Sequence, residues 1–159
     1  MFKKMMWFIR AKLRVKNEKL KVSGTVRLIG RNYDKDGVLR QVFDKILPNL
    51  ITDAGFDLIC DTLAKNAQPS DLTHLAIGDG TAGGTGDTAL DSETDRQVAA
   101  YAHTPGTKVF TLTATFSSVT AATEYGAFND GSAGSMFNTA GFAAITVDSL
   151  EIVMTGTLS

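Results

Sequence analysis

Cysteine and histidine are nearly missing from this sequence, and with them much of the chemistry a small protein can perform. The one cysteine, Cys60, leaves no intrachain disulfide to staple the fold. On an apolar stripe, a lone cysteine reads as a buried small hydrophobe rather than a redox group. The two histidines, His74 and His103, have no second histidine or cysteine at ligand spacing, so no zinc motif is present. No stretch approaches the ~18 apolar residues of a membrane span. The apolar centre of the first ten residues, Met5 to Ile9, is too short for a secretory signal, and no small-residue cleavage site follows it. The glycine-rich stretch from Gly78 to Asp87 lacks the Lys-Ser/Thr ending of a P-loop. It also lacks Gly-x-Gly-x-x-Gly order in a strand–loop–helix unit, which argues against a dinucleotide site. No catalytic, cofactor-binding or metal-binding residue is nominated. A nucleophile paired with a base is not visible, and no carboxylate pair stands out.

What is present is enough apolar residue for a core. The 159 residues fit one ordinary domain, and 43% hydrophobic against 21% charged argues against wholesale disorder. Charge is split along the chain. Residues 1–22 carry eight Lys/Arg and the single acid Glu18, and the remainder carries eight Lys/Arg and sixteen Asp/Glu. A basic leader on an acidic body points to an acidic docking surface: a neighbouring protein, another copy of the body, nucleic acid or lipid headgroups. The leader's cations are interleaved with apolar residues, and the acidic body would repel nucleic acid. Protein docking is therefore the favoured reading, with no specific nucleic acid and no membrane expected.

Residues 1–21 are expected to form a basic, aromatic N-terminal arm, and residues 22–159 a β-rich domain. Within the arm, Phe2, Met6, Ile9 and Leu13 have helical spacing, whereas Ile9, Ala11, Leu13 and Val15 alternate like a strand; both readings stay open. Phe2, Trp7, Phe8 and Ile9 are the expected apolar anchors, with Lys3, Lys4, Arg10, Lys12 and Arg14 steering them to a partner. Capping of the domain's own core, or lying on a membrane surface, are the other readings of the segment.

Val22 to Ile29 and Val38 to Leu47 read as two strands joined by a turn at Asn32 to Gly37. Pro48 ends the second. Thr52 is a candidate N-cap for a helix near residues 53–65, with Phe56, Ile59, Cys60 and Leu63 as its buried face. Gly55 costs helix propensity but permits close packing on a sheet. Leu72 to Ile77 reads as a strand. Thr88 to Arg96 reads as a turn or helical piece around Leu90, and Val98 to Ala102 as a strand. In Val109 to Phe116, Phe110, Leu112, Ala114 and Phe116 face one way and three threonines the other. Thr123 to Phe128, Met136 to Phe137, Phe142 to Val147 and a final strand through Leu150, Ile152 and Met154 follow, with a turn at Asn129 to Ser132. Many short strands between Gly/Asp/Ser turns make the fold mainly β, a sandwich or barrel rather than an alternating α/β fold. Asp79, Asp87, Asp91, Glu93 and Asp95 could offer oxygens to Ca²⁺, but their order is not that of an EF-hand; a solvated acidic loop is the favoured reading.

The order of short motifs carries a resemblance. Asn49-Leu50-Ile51-Thr52-Asp53-Ala54-Gly55-Phe56-Asp57-Leu58-Ile59 is followed by His74-Leu75-Ala76-Ile77-Gly78-Asp79-Gly80-Thr81. Next come Asp87-Thr88-Ala89-Leu90, then Glu93 and Arg96, Thr111 to Phe116, and Glu124-Tyr125-Gly126-Ala127-Phe128. Across roughly residues 22–157 this order resembles small virion proteins of tailed bacteriophages, of the tail, fibre-associated or head–tail type. The resemblance implies a non-enzymatic structural module with a β-sandwich-like body, present in multiple copies and contacting other virion proteins in the tail, neck or baseplate, and made in the host cytoplasm. Capsid decoration or cementing is the nearest alternative. A receptor- or glycan-binding tip using the glycine-rich loop with Tyr101 or Tyr125, and a particle-associated hydrolase, are the others.

Overall fold

The computed structural model describes residues 20–64 and 69–159. Its centre is a long antiparallel ribbon of β7 (Val109–Phe128) and β8 (Met136–Leu158). The turn between them is held by side chains. Asn129 Oδ1 accepts from the Ser135 amide, and Asp130 Oδ1 accepts from the amides of Ser132 and Ala133, as Asn and Asp do where a chain reverses. Pairing runs from Val109 with Thr157 to Phe128 with Met136, and slips near Val119 to Glu124. Ser118 (φ 54°) and Ala121 (φ 52°) sit at that slip in the left-handed region, a conformation that costs a residue with a Cβ. It divides the ribbon into two halves.

The other strands attach to opposite halves. β1 (Val22–Tyr33) pairs with the second half of β8, from Val22 with Leu158 to Arg31 with Ser149, and β2 (Leu39–Pro48) pairs with β1. β4 (His74–Gly78) pairs with the second half of β7, and β5 (Glu93–Val98) with β4. The short β3 (Leu50–Ile51) joins β8, and β6 (Ala100–His103) joins β7. The result is one eight-stranded antiparallel sheet in the order β2-β1-β8-β7-β4-β5, with β3 and β6 off that path. Both halves feed one hydrophobic cluster: Val26 and Leu28 from β1, Leu75 and Ile77 from β4, Phe116 and Tyr125 from β7, Ile152 and Met154 from β8. Each such side chain, fully buried, contributes about 1.5–3 kcal/mol.

The mainly β body with one early helix is as the composition and patterning imply. The hairpin lies where the turn residues put it, with Asp34 accepting from the amides of Asp36 and Val38 and Gly37 at φ 73°. Phe110, Leu112, Ala114 and Phe116 turn inward as their alternation requires, while Thr115 stays exposed. Several expectations are corrected. The strands expected at Val109 to Phe116 and Thr123 to Phe128 are one strand, and the three expected after Ser132 are one, because the pairing slips register near Val119 to Glu124 without ending either strand. Glu93 to Arg96 is strand, not turn or helix, because Arg96 and Ala76 lie opposite each other in the β4–β5 ladder.

The helix α1 (Asp53–Ala64) is present, but its expected face is not the one it buries. Phe56 is 45% exposed, Leu63 74% exposed, and Cys60 exposed rather than buried; Ile59 is half-buried. The residue that meets the sheet is Gly55, where a Cβ would overlap the carbonyl oxygen of Phe137. Close backbone approach, not the apolar stripe, sets the rotation of the helix. The nine expected partner contacts, Phe2, Lys3, Lys4, Trp7, Phe8, Ile9, Arg10, Lys12 and Arg14, all lie outside the described residues, as does nearly all of the expected arm at 1–21.

Candidate functional site

The motifs that are scattered in sequence converge in one corner of the fold, where their polar groups tie elements together. The Thr52 hydroxyl caps α1 by accepting from the Gly55 amide at 2.9 Å and donates to the Met136 carbonyl of β8. The Thr52 amide donates to Phe137 O, and the Asp53 amide to Thr85 O, which anchors the glycine-rich loop on the start of the helix. Glu124 is 1% exposed and accepts from the amides of Asp91 (3.2 Å) and Ser92 (2.8 Å). Its carboxylate fills the space that a Cβ at Gly78 or Gly80 would need. A buried carboxylate requires such donors. Thr123 Oγ1 donates to Gly80 O at 2.5 Å and fixes the same loop from β7.

Arg96 closes the far side of this corner. Its guanidinium forms a bidentate pair with Glu93, donates to the carbonyls of Asp130 and Ala133, and stacks 3.7 Å from the Phe128 ring centroid. Tyr125 is fully buried and donates to Asn138 Oδ1 at 2.7 Å; burial pushes its hydroxyl well above the usual phenol range. Each of these groups makes hydrogen bonds within the fold. Tyr125 is therefore out of reach of a glycan, while Tyr101, 65% exposed, stays accessible. Asp79, Asp87, Asp91, Glu93 and Asp95 do not converge: among the described residues no three His, Cys, Asp or Glu side chains are placed to share a metal ion. The sequence offered no signal for Glu124 as the organiser of the loop, because its partners lie 32 and 33 residues away.

One concave surface among the described residues is an open apolar groove of about 750 Å³. One wall is α1, through Leu58, Ile59 and Leu63, continued by Pro69 and Leu72. The floor is a row of aromatics. Tyr101 and Phe110 have ring centroids 6.4 Å apart, and Phe110 and Phe137 6.5 Å apart. Phe110 lies where it does because Gly156 faces it across the ribbon, and a side chain there would overlap its ring. Leu158 closes one end.

Two features define what the groove can accept. Asp71 is the one charged group among its described lining residues. The C-terminal end of the helix beside it adds the negative pole of the helix dipole, whereas Asp53, Asp57 and Asp61 run along the helix face turned away from the groove-lining Leu58, Ile59, Thr62 and Leu63. Secondly, the N-terminal segment enters the fold at this end. Lys21 and Ser159 exchange amide–carbonyl bonds at 2.7 and 2.9 Å, one residue beyond Leu158. The geometry suits an apolar segment, with Asp71 placed to meet a cation on it.

The opposite margin of the sheet is less open to a partner. β2 is an edge strand with Val42 and Ile46 exposed. A register shift at Gly30/Arg31 interrupts it, and it carries Arg40, Lys45 and Pro48. Bulges, charges and proline are how edge strands resist unwanted pairing. No helix among the described residues is long and apolar enough to cross a membrane. No protein-family model, curated protein or solved structure matches the chain.

Proposed function

We propose that this chain is a non-enzymatic structural module of a tailed-phage particle: a β-sandwich-like body, residues 22–159, that docks through a basic aromatic arm, residues 1–21. The observation that carries the reading is the apolar groove beside the point where the arm joins the body. An aromatic-floored groove is a docking surface, since aromatic and aliphatic anchors supply most of the energy of a protein contact. The polar residues of the motif order hold the fold and are not arranged around a cleft. The motif order itself supports the particle as the setting. Repetition on a symmetric particle would multiply a modest contact into firm attachment. Tail, neck or baseplate are the favoured positions, and other virion proteins the partners.

The test is a density map of the intact particle with this chain located by its side-chain pattern. Density at the tail, neck or baseplate supports the adaptor role, and density over the capsid lattice replaces it with decoration. Absence of the chain from the particle sinks the reading altogether. A companion measurement is incorporation of a variant with Trp7 and Phe8 changed to Ala, which is expected to fall.

A further inference from the structure

We infer that the groove beneath α1 is the receptor for residues 2–14 of a second copy of this chain, so that copies link arm to groove. This rests on the proposed function, in which the arm reaches a neighbour, and it names that neighbour and the surface it offers.

Three observations lead to this occupant. The groove is apolar with an aromatic floor, and the segment missing from the described residues holds Phe2, Trp7, Phe8 and Ile9, the chain's densest aromatic run. Charge is complementary. Asp71 is the groove's one charged residue among those described, while residues 1–19 carry seven Lys/Arg against Glu18. Position agrees as well. The arm leaves the body at Leu20, where Lys21 clasps Ser159 next to Leu158 at the groove's end, so each copy presents a receptor and a donor side by side.

The polar run Lys16-Asn17-Glu18-Lys19 separates the apolar part of the arm from Leu20 and supplies a connector. Contacts between arm and groove are the same whichever copy supplies the arm, which is why exchanging an element between identical chains costs little. At the high local concentration of an assembly, exchange between copies gains over folding back.

Cys60 is the chain's one cysteine and lies exposed on α1 between Phe56 and Leu63, so it serves as a built-in probe. Full-length Phe8→Cys is oxidised with copper phenanthroline and its products are weighed by mass spectrometry. The expected product is a disulfide-linked pair of chains joining position 8 of one to Cys60 of the other, absent when Cys60 is also changed to Ser. In parallel, Leu63→Lys is compared with the unmodified full-length chain by sedimentation. Leu63 is 74% exposed, so the substitution leaves the fold intact. It sets a cation against a cationic arm and is expected to weaken self-association at least about tenfold.

An intrachain disulfide overturns the inference, since the arm then lies in its own groove. No disulfide together with unchanged association overturns it too. If incorporation into particles still depends on Trp7 and Phe8 in that case, the arm docks on a different virion protein and the proposed function survives. If linked pairs form but the chain is absent from particles, the inference stands and the proposed function fails.

Discussion

Replacing Gly55 with alanine sets two effects of opposite sign against each other. By helix propensity alone, Gly→Ala inside α1 would stabilise by about 1 kcal/mol. In this fold the added Cβ overlaps the carbonyl oxygen of Phe137. That oxygen is backbone and already accepts from the Thr52 amide, so it cannot yield as a flexible side chain would. The helix must move instead. Overpacking of this kind costs about 1–3 kcal/mol. Movement at Gly55 also disturbs the Thr52 cap and its bonds to Met136 and Phe137, a further ~1 kcal/mol. The net expectation is a loss of about 2 kcal/mol, or roughly 4–8 °C in Tm for a chain of this size. The control is the same chemical change at Gly84, where an added Cβ meets nothing within 4 Å; its Tm should hold or rise by about 1–3 °C. Thermal melts by far-UV circular dichroism read both. If Gly55→Ala melts at or above the parent, the helix is not seated by backbone approach and the account of its rotation is wrong.

Glu124→Gln should cost about 1.5–3 kcal/mol by urea unfolding. It turns one of the oxygens facing the Asp91 and Ser92 amides into a donor, and an unchanged unfolding midpoint would remove Glu124 as organiser of the glycine-rich loop. Arg96→Lys should cost about 1–2 kcal/mol. A lysine cannot keep the bidentate bond to Glu93, the two carbonyl contacts and the stack on Phe128 together. Hydrogen exchange over residues 129–135 should quicken, and unaltered protection there would contradict the assignment. Asp34, Asp44 and Asp130 are each held below the usual carboxylate range: Asp34 by its bond to Arg40, Asp44 by its bond to Arg27, and Asp130 by the Ser132 and Ala133 amides. A folded-state pKa below the unfolded value contributes stability that is present above the unfolded pKa and lost as pH falls through the folded one. Tm should therefore drop below about pH 4, and the triple Asp→Asn variant should show a shallower drop. Parallel acid limbs would refute the role of these three groups. The bond that lowers Asp44 raises Arg27 above its usual value, so the Arg27 contribution is lost only in strong alkali.

Local signals carried much of the architecture. The turn at Asp34 to Gly37, the cap at Thr52 and the turn at Asn129 to Ser132 were legible because each is made by side chains bonding their own neighbourhood. Alternation in Phe110 to Phe116 named its inward face for the same reason. The corner built by Glu124, Gly78, Arg96 and Phe128 was legible only as a motif order, since apart from the local Arg96–Glu93 pair its bonds span 32 to 43 residues and no local rule forecasts them. The groove was not legible at all: its lining comes from α1, the segment ahead of β4, β6, β7 and both ends of β8.

By itself the sequence determined that this chain is mainly β with one early helix, that its charge is split between a basic leader and an acidic body, and where its tight turns fall. These follow from periodicity, capping and composition, which act within a few residues. Only the tertiary structure decided which face of the helix is buried, because that depends on the fit of Gly55 against a strand more than eighty residues away. It likewise decided that separate apolar runs fuse into two long strands and that all eight strands form one sheet, since hydrogen-bond partners across a sheet are chosen by register and shared core, not by neighbours in the chain.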